Sequence, residues 1–518
     1  MAARSVRCTE TRYPKGPGLL HYPSRMGFID DLARRNQGVP KRQFERFSHL
    51  AFNGLTAGPK VMASPPTISA IATATAIASP QIYNFLTANS APSPGFPSFN
   101  ENFITTTIGA WIRSGVVFPD YNYADAQGPT DSVPGSNWGR LEFFTDAQTF
   151  EFMHKGLGAK WRMWVDGELV QAAAVPVTAD GGAKWQPIVF ASQQLRHIKL
   201  DYTADFRFGG ITIGPTDAIF PAPAVNPRAL VIGDSYVVGT NSDTVNGFVN
   251  TMGAYLGWDC WAAGVGGSGF DAADSPSSYR DRIGLYSGIP FDVVIIVGSV
   301  NDADAIGQAS AQAEVPLCFQ LARAQWPDAL LIGVSPWRPK GVEGLLAAGG
   351  TFGGRYRTIG RYIQEAVDSV DGCYVDLISI PFTNASRQLT GPGKGTIQAS
   401  VNASATTFTS DFQFGIGSTI DIGADISTSE LRRVTAVSGT GPYTMTVAAL
   451  NNAHRVDEVV RQVGASWCTG LGRVGATTGV GTADRYMHSD DVHPTQAAHD
   501  TVGRLVATQI ANFLTYPW

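Results

Sequence analysis

The chain has 518 residues, of which 44% are hydrophobic and 16% are charged, and its formal net charge is -5 at pH 7. It is too long for one ordinary domain and apolar enough for several cores, and its charge excludes a global bias toward nucleic acid or an anionic membrane. No apolar run approaches the roughly 18 residues that a membrane span requires, and residues 1–16 lack the apolar stretch of a secretory signal. We therefore expect a soluble protein made inside a cell, with export by a route that needs no signal left open, so that a cytoplasmic and a virion-associated location both fit.

The cysteines indicate neither a metal site nor a disulfide framework. Cys8, Cys260, Cys318, Cys373 and Cys468 are far apart and odd in number. No Cys-x-x-Cys pair or Cys/His cluster is present, so we expect buried free thiols and no structural metal. A disulfide between two of them stays open.

The N-terminal region allows two interpretations. Residues 1–60 are polar and locally basic, notably around Arg34 and Lys41. They fit either a solvated, loosely packed arm or an attachment arm that orders on a partner, such as a virion or another copy of the chain. Residues 62–97 are rich in Ala, Thr, Ser and Pro, and Ile68–Thr73 fits either a strand or a linker.

From Ile104 to Pro221 the pattern is that of short β-strands. Asp166-Gly167 separates the runs Trp161–Val165 and Glu168–Val170 and predicts a hairpin, because both turn positions tolerate positive φ. Further strands are predicted at Leu141–Phe144, Phe150–Phe152, Ile188–Ala191, Ile198–Tyr202 and Gly210–Ile213. This spacing indicates a β-sandwich (jelly-roll-like) accessory domain over residues 61–222, including its N-terminal linker. Its aromatic residues fit core packing, with a sugar-binding platform as the alternative.

After Pro221-Ala222-Pro223 the rhythm changes to strand then helix. Strands are predicted at Ala229–Ile232, Asp259–Ala263, Asp292–Val297, Ala329–Val334 and Cys373–Ile378, and helices at Ala309–Gln325, Tyr356–Val370 and Thr495–Leu514. This alternation indicates an α/β domain with a parallel sheet covered by helices on both faces. We place it in two parts, residues 228–390 and 466–518.

Residues 391–465 interrupt that domain with a Thr/Ser/Val-rich stretch. Strands are predicted at Thr396–Thr409, Ser418–Ile422, Leu431–Val437 and Tyr443–Ala448, with a turn at Gly439-Thr440-Gly441-Pro442. We interpret the stretch as a small inserted β module, because insertions at exposed loops cost little free energy.

Four short motifs fall at one edge of the predicted parallel sheet. They are Gly233-Asp234-Ser235-Tyr236 after the first strand, Gly264–Gly269 after the second, Gly298-Ser299-Val300-Asn301-Asp302 after the third, and Asp490-Asp491-Val492-His493-Pro494 before the last helix. Open α/β folds place their ligands at the carboxyl ends of such strands. A serine there is a candidate nucleophile if the chain supplies a base, an orienter for that base and donors for an oxyanion.

Together and in this order, the motifs resemble those of the SGNH (GDSL-type) hydrolases, a family of esterases and lipases. The resemblance covers roughly residues 228–390 and 466–518, and it implies a flavodoxin-like three-layer domain that hydrolyses esters without a cofactor. Residue by residue, Ser235 matches the nucleophile, His493 the general base and Asp490 the carboxylate that orients it. The N–H of Ser235, the N–H of Gly267 and the side-chain amide of Asn301 match the oxyanion hole.

Some positions depart from the family pattern. Tyr236 replaces the usual leucine, Ala262 stands where many members carry Asn, and Ser299 replaces a glycine. These changes concern the geometry of the loops rather than the donors themselves, and Tyr236 should matter little if its side chain points into packing.

Other residues near the motifs have competing interpretations. Asp491 is a rival to Asp490 as orienter, but it fits the family spacing less well. We expect Asp234 to have a structural role through hydrogen bonds to neighbouring loops. His488 and His499 flank the triad, and we expect them on the surface or behind the catalytic groups.

The function expected from these features is hydrolysis of O-acyl esters, in particular O-acetyl esters, on a carbohydrate or polysaccharide. The carbohydrate rests on analogy, because a β-sandwich before an SGNH domain resembles some two-domain carbohydrate esterases. Trp337 lies after the fourth strand, where it is either a wall of the substrate site or a packed core residue.

Two alternatives stay open. An esterase for short-chain lipids or small esters would be favoured by a long apolar lid, for which the sequence offers no clear candidate. A virion tail component is favoured by the basic arm and the β-rich segments, which resemble parts of phage tail esterases that deacetylate bacterial surface glycans. The latter is compatible with a glycan deacetylase.

Overall fold

The computed structural model describes most of the chain downstream of the N-terminal arm. The described residues are 50, 58–83, 104–108, 110–113, 124–127, 129, 134–155, 158–177, 182–271, 278–304, 308–337, 352–377, 382–383, 389–390, 394–416, 419–423, 426–462, 483–490 and 492–515. The polar arm predicted over residues 1–60, whether solvated or an attachment arm, therefore lies almost entirely outside them.

The first part of the described chain is built from antiparallel strands. They are β1 (Thr67–Ile68), β2 (Gln81–Tyr83), β3 (Thr105–Ile108), β4 (Ala110–Arg113), β5 (Ala124–Gln127), β6 (Trp138–Thr145), β7 (Thr149–Lys155), β8 (Lys160–Val165), β9 (Glu168–Leu169), β10 (Val175–Pro176), β11 (Ala183–Val189), β12 (Arg196–Thr203), β13 (Arg207–Ile213) and β14 (Ile219–Pro221). Antiparallel strands are confirmed here, and the Ile68–Thr73 segment contributes β1, which pairs with β11.

These strands form two sheets that share one buried cluster. One sheet has the order β1-β11-β7-β13-β5-β4, with β2 on β13, and the other has the order β10-β8-β12-β6-β14, with β3 on β6 and β9 on β8. Phe143 of one sheet meets Phe150 of the other edge to face, with ring centroids 5.7 Å apart, and Trp161 meets Phe152 at 4.7 Å. The aromatic residues of the sequence pattern are therefore core residues at these positions.

The predicted hairpin forms at Asp166-Gly167. These residues have φ of 50° and 86°, and they join β8 to β9 with Trp164 opposite Leu169. Two successive positive φ values match the right-handed twist of the strands, which is why an Asp-Gly pair is favoured there.

The second part of the chain alternates strands and helices. The strands are β15 (Arg228–Gly233), β16 (Asp259–Gly264), β17 (Val293–Val297), β18 (Leu330–Val334) and β19 (Cys373–Val375). The helices are α1 (Ser235–Val238), α2 (Phe248–Leu256), α3 (Tyr279–Leu285), α4 (Val300–Asp304), α5 (Gln308–Gln325), α6 (Phe352–Ser369), α7 (Ala483–Tyr486) and α8 (Gln496–Thr515), with a 3-10 turn at Thr244–Asn246.

The five strands pair in parallel in the order β16-β15-β17-β18-β19, which confirms the mixed α/β class. All five residues of β17 are buried, as expected when helices cover both faces of a parallel sheet. The order reverses direction between β15 and β17, and an open sheet binds ligands at the carboxyl edge of such a switch point. The first and third motifs follow these two strands.

The chain between β19 and α7 contains more and shorter strands than predicted. They are β20 (Phe382–Thr383), β21 (Leu389–Thr390), β22 (Lys394–Thr396), β23 (Thr407–Ser410), β24 (Thr419–Ile422), β25 (Glu430–Arg433), β26 (Ala436–Ser438), β27 (Tyr443–Thr446) and β28 (Val459–Gln462). The first two, β20 and β21, precede the predicted start of the insertion at residue 391. Thr396–Thr409 was expected as one strand but contains a turn with Ser404 at φ 71°. Leu431–Val437 is likewise divided, because β25 and β26 belong to different sheets. The predicted turn before Tyr443 joins β26 to β27.

Within the described ranges, no helix combines the length and apolarity needed to cross a membrane. Cys260, Cys318 and Cys373 are buried free thiols, as expected, whereas Cys8 and Cys468 lie outside the described residues.

Candidate active site

Ser235 lies at the turn between β15 and α1. Asp234 caps the helix by accepting a 2.9 Å hydrogen bond from the N–H of Tyr236. A Cβ at Gly233 would lie 2.2 Å from Cγ2 of Val237, so the tight passage from strand to helix requires glycine there. The sequence thus delivers the serine to the carboxyl edge of the sheet, with 7% of its surface exposed.

The turn before α8 brings His493 and Asp490 to this serine. Nε2 of His493 lies 2.9 Å from Oγ of Ser235, and Nδ1 of His493 lies 2.7 Å from Oδ2 of Asp490. A histidine between a hydroxyl and a carboxylate is the arrangement that activates a serine, because one ring nitrogen accepts the proton while the other is held by the carboxylate. Asp491, the rival orienter, lies outside the described residues.

The Asp490 carboxylate is saturated with donors. Its Oδ1 accepts the backbone N–H of Val492 at 3.0 Å and of His493 at 2.9 Å. Burial alone would raise the pKa of this carboxyl, but these N–H groups and the His493 side chain together hold it well below its usual range. The carboxylate therefore stays ionised beside the imidazole. His488 is half-buried, with Nδ1 3.6 Å from Oδ2 of Asp490.

The second and third motifs are joined by hydrogen bonds to the Ser268 carbonyl. Gly267 is exposed with φ 75°, a conformation that glycine adopts without strain. The Asn301 side chain, in the first turn of α4, donates from Nδ2 to the carbonyl of Ser268 at 2.9 Å. An amide nitrogen carries two hydrogens, so this bond leaves one for a further acceptor.

Asp234 links the first motif to the third. Its carboxylate accepts the N–H of Val300 at 3.0 Å and lies 2.9 Å from Oγ of Ser299. The same hydroxyl lies 2.9 Å from the Ser268 carbonyl. Burial raises the pKa of Asp234, against the opposing effect of these donors. Ser299 thus bridges the motif loops in place of the family's glycine, and Asp234 makes the loop contacts expected of it.

Arg282 is a residue of this network that the sequence reasoning missed. It is fully buried, and its guanidinium donates to the carbonyls of Gly233 at 2.8 Å and Ala263 at 2.5 Å and to Oγ of Ser268 at 2.7 Å. These acceptors belong to the ends of β15 and β16 and to the loop that carries Gly267. A lone arginine in a short helix gives no local signal of such contacts.

The β-rich part also supports the second motif. Asn137 accepts the N–H of Gly264 at 2.9 Å and donates to its carbonyl at 3.1 Å, while Oγ of Ser136 accepts the N–H of Ala262 at 2.9 Å. These bonds cover the open edge of β16 just before the glycine loop. A pairing across more than 120 residues of sequence could not be recognised from either segment alone.

Trp337 occupies a core position. It has no exposed surface, and its ring centroid lies 4.6 Å from that of Tyr236 and 6.1 Å from that of Phe248. A ring without exposed surface offers no face to a substrate, so its placement as a wall of the site is corrected to the packed alternative.

His499 is buried rather than on the surface. Its Nδ1 accepts the N–H of Phe248 at 3.3 Å, and the two rings stack with centroids 6.2 Å apart. Burial lowers the pKa of His499 to about 4, which keeps the ring neutral. Among the described residues, no group of His, Cys, Asp and Glu side chains could hold a metal ion.

Comparison with known proteins finds similarity at the level of structure. No protein-family model matches the chain, and no curated protein matches it significantly. A carbohydrate esterase family 2 enzyme plus carbohydrate binding domain from Corynascus thermopiles is similar at 13% identity and a TM-score of 0.41, over 79% of this chain and all of that one.

Two further solved structures are similar to the chain. A salicylyl-acyltransferase, SsfX3, from a tetracycline biosynthetic pathway has 15% identity and a TM-score of 0.41, over 56% of this chain and 89% of that one. A family two carbohydrate esterase from Cellvibrio japonicus has 14% identity and a TM-score of 0.38, over 57% and 88%. All three similarities are at low sequence identity.

Proposed function

We propose that this chain is a serine esterase of the SGNH (GDSL-type) class that hydrolyses O-acyl esters, in particular O-acetyl esters, on a carbohydrate. The observation that carries the proposal is the unbroken line of hydrogen bonds from Ser235 Oγ through His493 to Asp490, with distances of 2.9 and 2.7 Å. The three groups meet at the sheet edge although 258 residues of sequence separate Ser235 from His493.

The proposed chemistry follows from these contacts. Oγ of Ser235 attacks the ester carbonyl while its proton passes to Nε2 of His493, and Asp490 stabilises the imidazolium that forms. Collapse of the tetrahedral intermediate breaks the bond to the alcohol oxygen, which takes the proton from His493. Water then attacks the acyl-serine, again through His493, and releases the carboxylic acid and the free serine.

The oxyanion of the intermediate needs donors already in place. We assign them to the N–H of Ser235, the N–H of Gly267 and the Asn301 amide, whose second hydrogen remains after the bond to Ser268. Fixed donors avoid the reorganisation that water would need, which makes such groups effective in catalysis.

The substrate class rests on architecture. We interpret the parallel sheet in the order β16-β15-β17-β18-β19 as a flavodoxin-like SGNH domain over residues 228–390 and 466–518. The two packed antiparallel sheets correspond to an accessory β-sandwich within residues 61–222, and residues 391–465 to the inserted module. Because a similar two-part arrangement occurs in carbohydrate esterases, we propose a glycan hydroxyl as the alcohol.

The test is the substitution Ser235→Ala, assayed with an activated acetyl ester. We expect loss of hydrolysis with an unchanged circular dichroism spectrum and unfolding midpoint. Ser404→Ala, an exposed serine of the inserted module, is the control and should keep full activity. Hydrolysis that persists in Ser235→Ala would refute the mechanism.

The substrate is tested separately by acetate release from a panel of acetylated glycans, compared with simple esters of increasing acyl length. We expect acetyl esters of glycans to be preferred. A preference for longer acyl chains would instead support the lipid esterase.

A further inference from the structure

The two ends of the turn that carries His493 are bonded to each other. Met487 and Pro494 form an antiparallel bridge, and the N–H of His488 donates to the carbonyl of His493 at 2.9 Å. These bonds fix the shape of the turn but not its place relative to Ser235. The distance between base and nucleophile therefore depends on contacts that join this turn to the rest of the α/β part.

Tyr236 provides one such contact from the position next to the nucleophile. Its hydroxyl donates to the carbonyl of Val492 at 2.7 Å. Only 1% of Tyr236 is exposed, and its ring lies against Trp337, with centroids 4.6 Å apart, and 6.0 Å from the His493 ring. Packing thus holds the ring still, and the hydroxyl reaches the residue that directly precedes the base.

Asn241 provides a second contact, on the carboxylate side. Its Nδ2 donates to Oδ2 of Asp490 at 2.7 Å, the same oxygen that His493 contacts. Asn241 has φ 64°, which Asn tolerates better than most residues. It stays close to the nucleophile, because the N–H of Thr240 donates to the carbonyl of Ser235 at 3.1 Å.

Both contacts therefore start in the short segment 235–241 and end on atoms beside the imidazole. We propose that Tyr236 and Asn241 are positioning residues that fix the base turn against the nucleophile, Tyr236 through the Val492 carbonyl and Asn241 through the Asp490 carboxylate. The inference rests on the proposed esterase mechanism and adds two residues to it. Tyr236 thereby gains a role that the leucine of the family pattern could not perform.

Stability alone does not account for the Asn241–Asp490 bond. The Asn241–Asp490 bond is exposed, and water competes for both partners, so its net contribution to folding is small. Its effect on geometry is larger, since a misplacement of about 1 Å at a catalytic group costs about 10²-fold in rate.

The experiment measures kcat and KM for an activated acetyl ester with Tyr236→Phe and Asn241→Gly. The first removes only the hydroxyl and keeps the packed ring, and the second removes only the side chain, since glycine tolerates φ 64°. For each we expect kcat to fall about tenfold or more with KM nearly unchanged, because the turn moves relative to the serine while substrate binding stays.

Matched controls remove equivalent groups far from the site. Tyr202→Phe removes a buried hydroxyl that donates to the Ile108 carbonyl at 3.2 Å, and Ser404→Gly replaces another residue with positive φ. Both should keep the kcat of the parent protein. A fall in kcat in these controls equal to that in the test variants would show a general effect of destabilisation and overturn the proposal.

The decisive readout is the same pair of substitutions in a His493→Ala background. Residues that act through His493 should have no further effect on the residual rate there, because groups that work as a unit are not additive. A further tenfold loss in that background, or kcat equal to that of the parent protein in the single variants, would refute the positioning role. Activity that survives Ser235→Ala would instead refute the esterase mechanism itself, so the two failures are distinguishable.

Discussion

The buried guanidinium of Arg282 donates a 2.7 Å hydrogen bond to Oγ of Ser268, the residue next to the proposed oxyanion donor Gly267. The same guanidinium holds the carbonyls of Gly233 and Ala263, so one side chain joins the ends of β15 and β16 to the glycine loop. Burial lowers the pKa of Arg282, which shows that its charge is held in an unfavourable medium. Its hydrogen bonds to three acceptors offset that cost.

Arg282→Met should therefore lower both stability and activity. It removes the cost of the buried charge but takes one donor from each of three buried acceptors, and an acceptor left with no other partner costs about 1–3 kcal/mol. We expect the loss of these hydrogen bonds to outweigh the gain from removing the buried charge. The free energy of unfolding, measured in urea, should then fall by at least about 2 kcal/mol. Arg282→Lys keeps the charge but not the planar fork, and we expect it to restore only part of the loss. A more stable Met variant would show that desolvation of the charge dominates.

The side chain of Asn301 offers a test of the oxyanion hole. Asn301→Ala should lower kcat by about 10²–10³ with little change in KM, because the lost donor acts on charge that develops only in the transition state. Its Nδ2 also braces the loop through the Ser268 carbonyl, and bracing alone would weaken the loop rather than remove a donor.

Ser299→Ala separates these two roles. The Ser299 hydroxyl braces the same loop, at 2.9 Å from Asp234 and from the Ser268 carbonyl, but it belongs to no proposed donor set. We expect it to cost much less rate than Asn301→Ala. Equal losses in steady-state kinetics would show that Asn301 acts through loop structure alone.

Local patterns predicted the scaffold better than the network around the site. Continuous apolar runs identified the five strands of the parallel sheet to within a few residues. The motifs after the first strand and before the last helix named Ser235 and His493, which the structure brings into contact. Arg282 and Asn137 were missed because their partners, mainly backbone atoms at the ends of β15 and β16, are distant in the sequence. Such contacts depend on tertiary packing and leave no periodic signal in the sequence.

In the inserted module, the sequence did not locate the ends of the strands. Its Thr/Ser-rich stretches satisfy strand preference almost everywhere, so the sequence could not mark where a strand stops. The predicted strand is interrupted before β23 at Ser404, which has a positive φ. No local sequence pattern predicted that conformation. Strand boundaries there are set by which of two sheets each segment joins.

His499 predicts a measurable sensitivity of stability to acid. Its pKa is lowered to about 4, first by burial and also by the nearby His493 charge, whereas the unfolded chain returns it to an ordinary value of about 6.5. Because the pKa of His499 is lower in the folded than in the unfolded state, its contribution to stability is complete above pH 6.5. That contribution is lost as the pH falls toward 4. The loss is on the order of 3 kcal/mol.

His499→Gln removes this titration while keeping an acceptor for the Phe248 N–H. We expect the variant to be less stable than the parent at pH 7.5, because Gln does not stack on Phe248, but to lose less stability between pH 6.5 and 4. Urea unfolding across that range measures the two slopes. Parallel slopes would mean that other groups cause the acid sensitivity.

Asp490→Asn tests the orienting carboxylate itself. The amide keeps the shape of the side chain but presents its N–H or its carbonyl, without charge, to Nδ1 of His493. It neither stabilises the imidazolium nor reliably selects the tautomer that accepts the serine proton, so kcat should fall by about 10³–10⁴. Because the pKa of Asp490 is held well below its usual range, this carboxylate is ionised throughout the assay range, and the deficit should not be relieved by raising pH from 6 to 8.

Asp457→Asn, at an exposed position of the inserted module, is the matched control for loss of one charge. If Asp490→Asn retained kcat within a few-fold of the parent, Asp490 would not be the orienter, and the same substitution at Asp491 would be the next to measure.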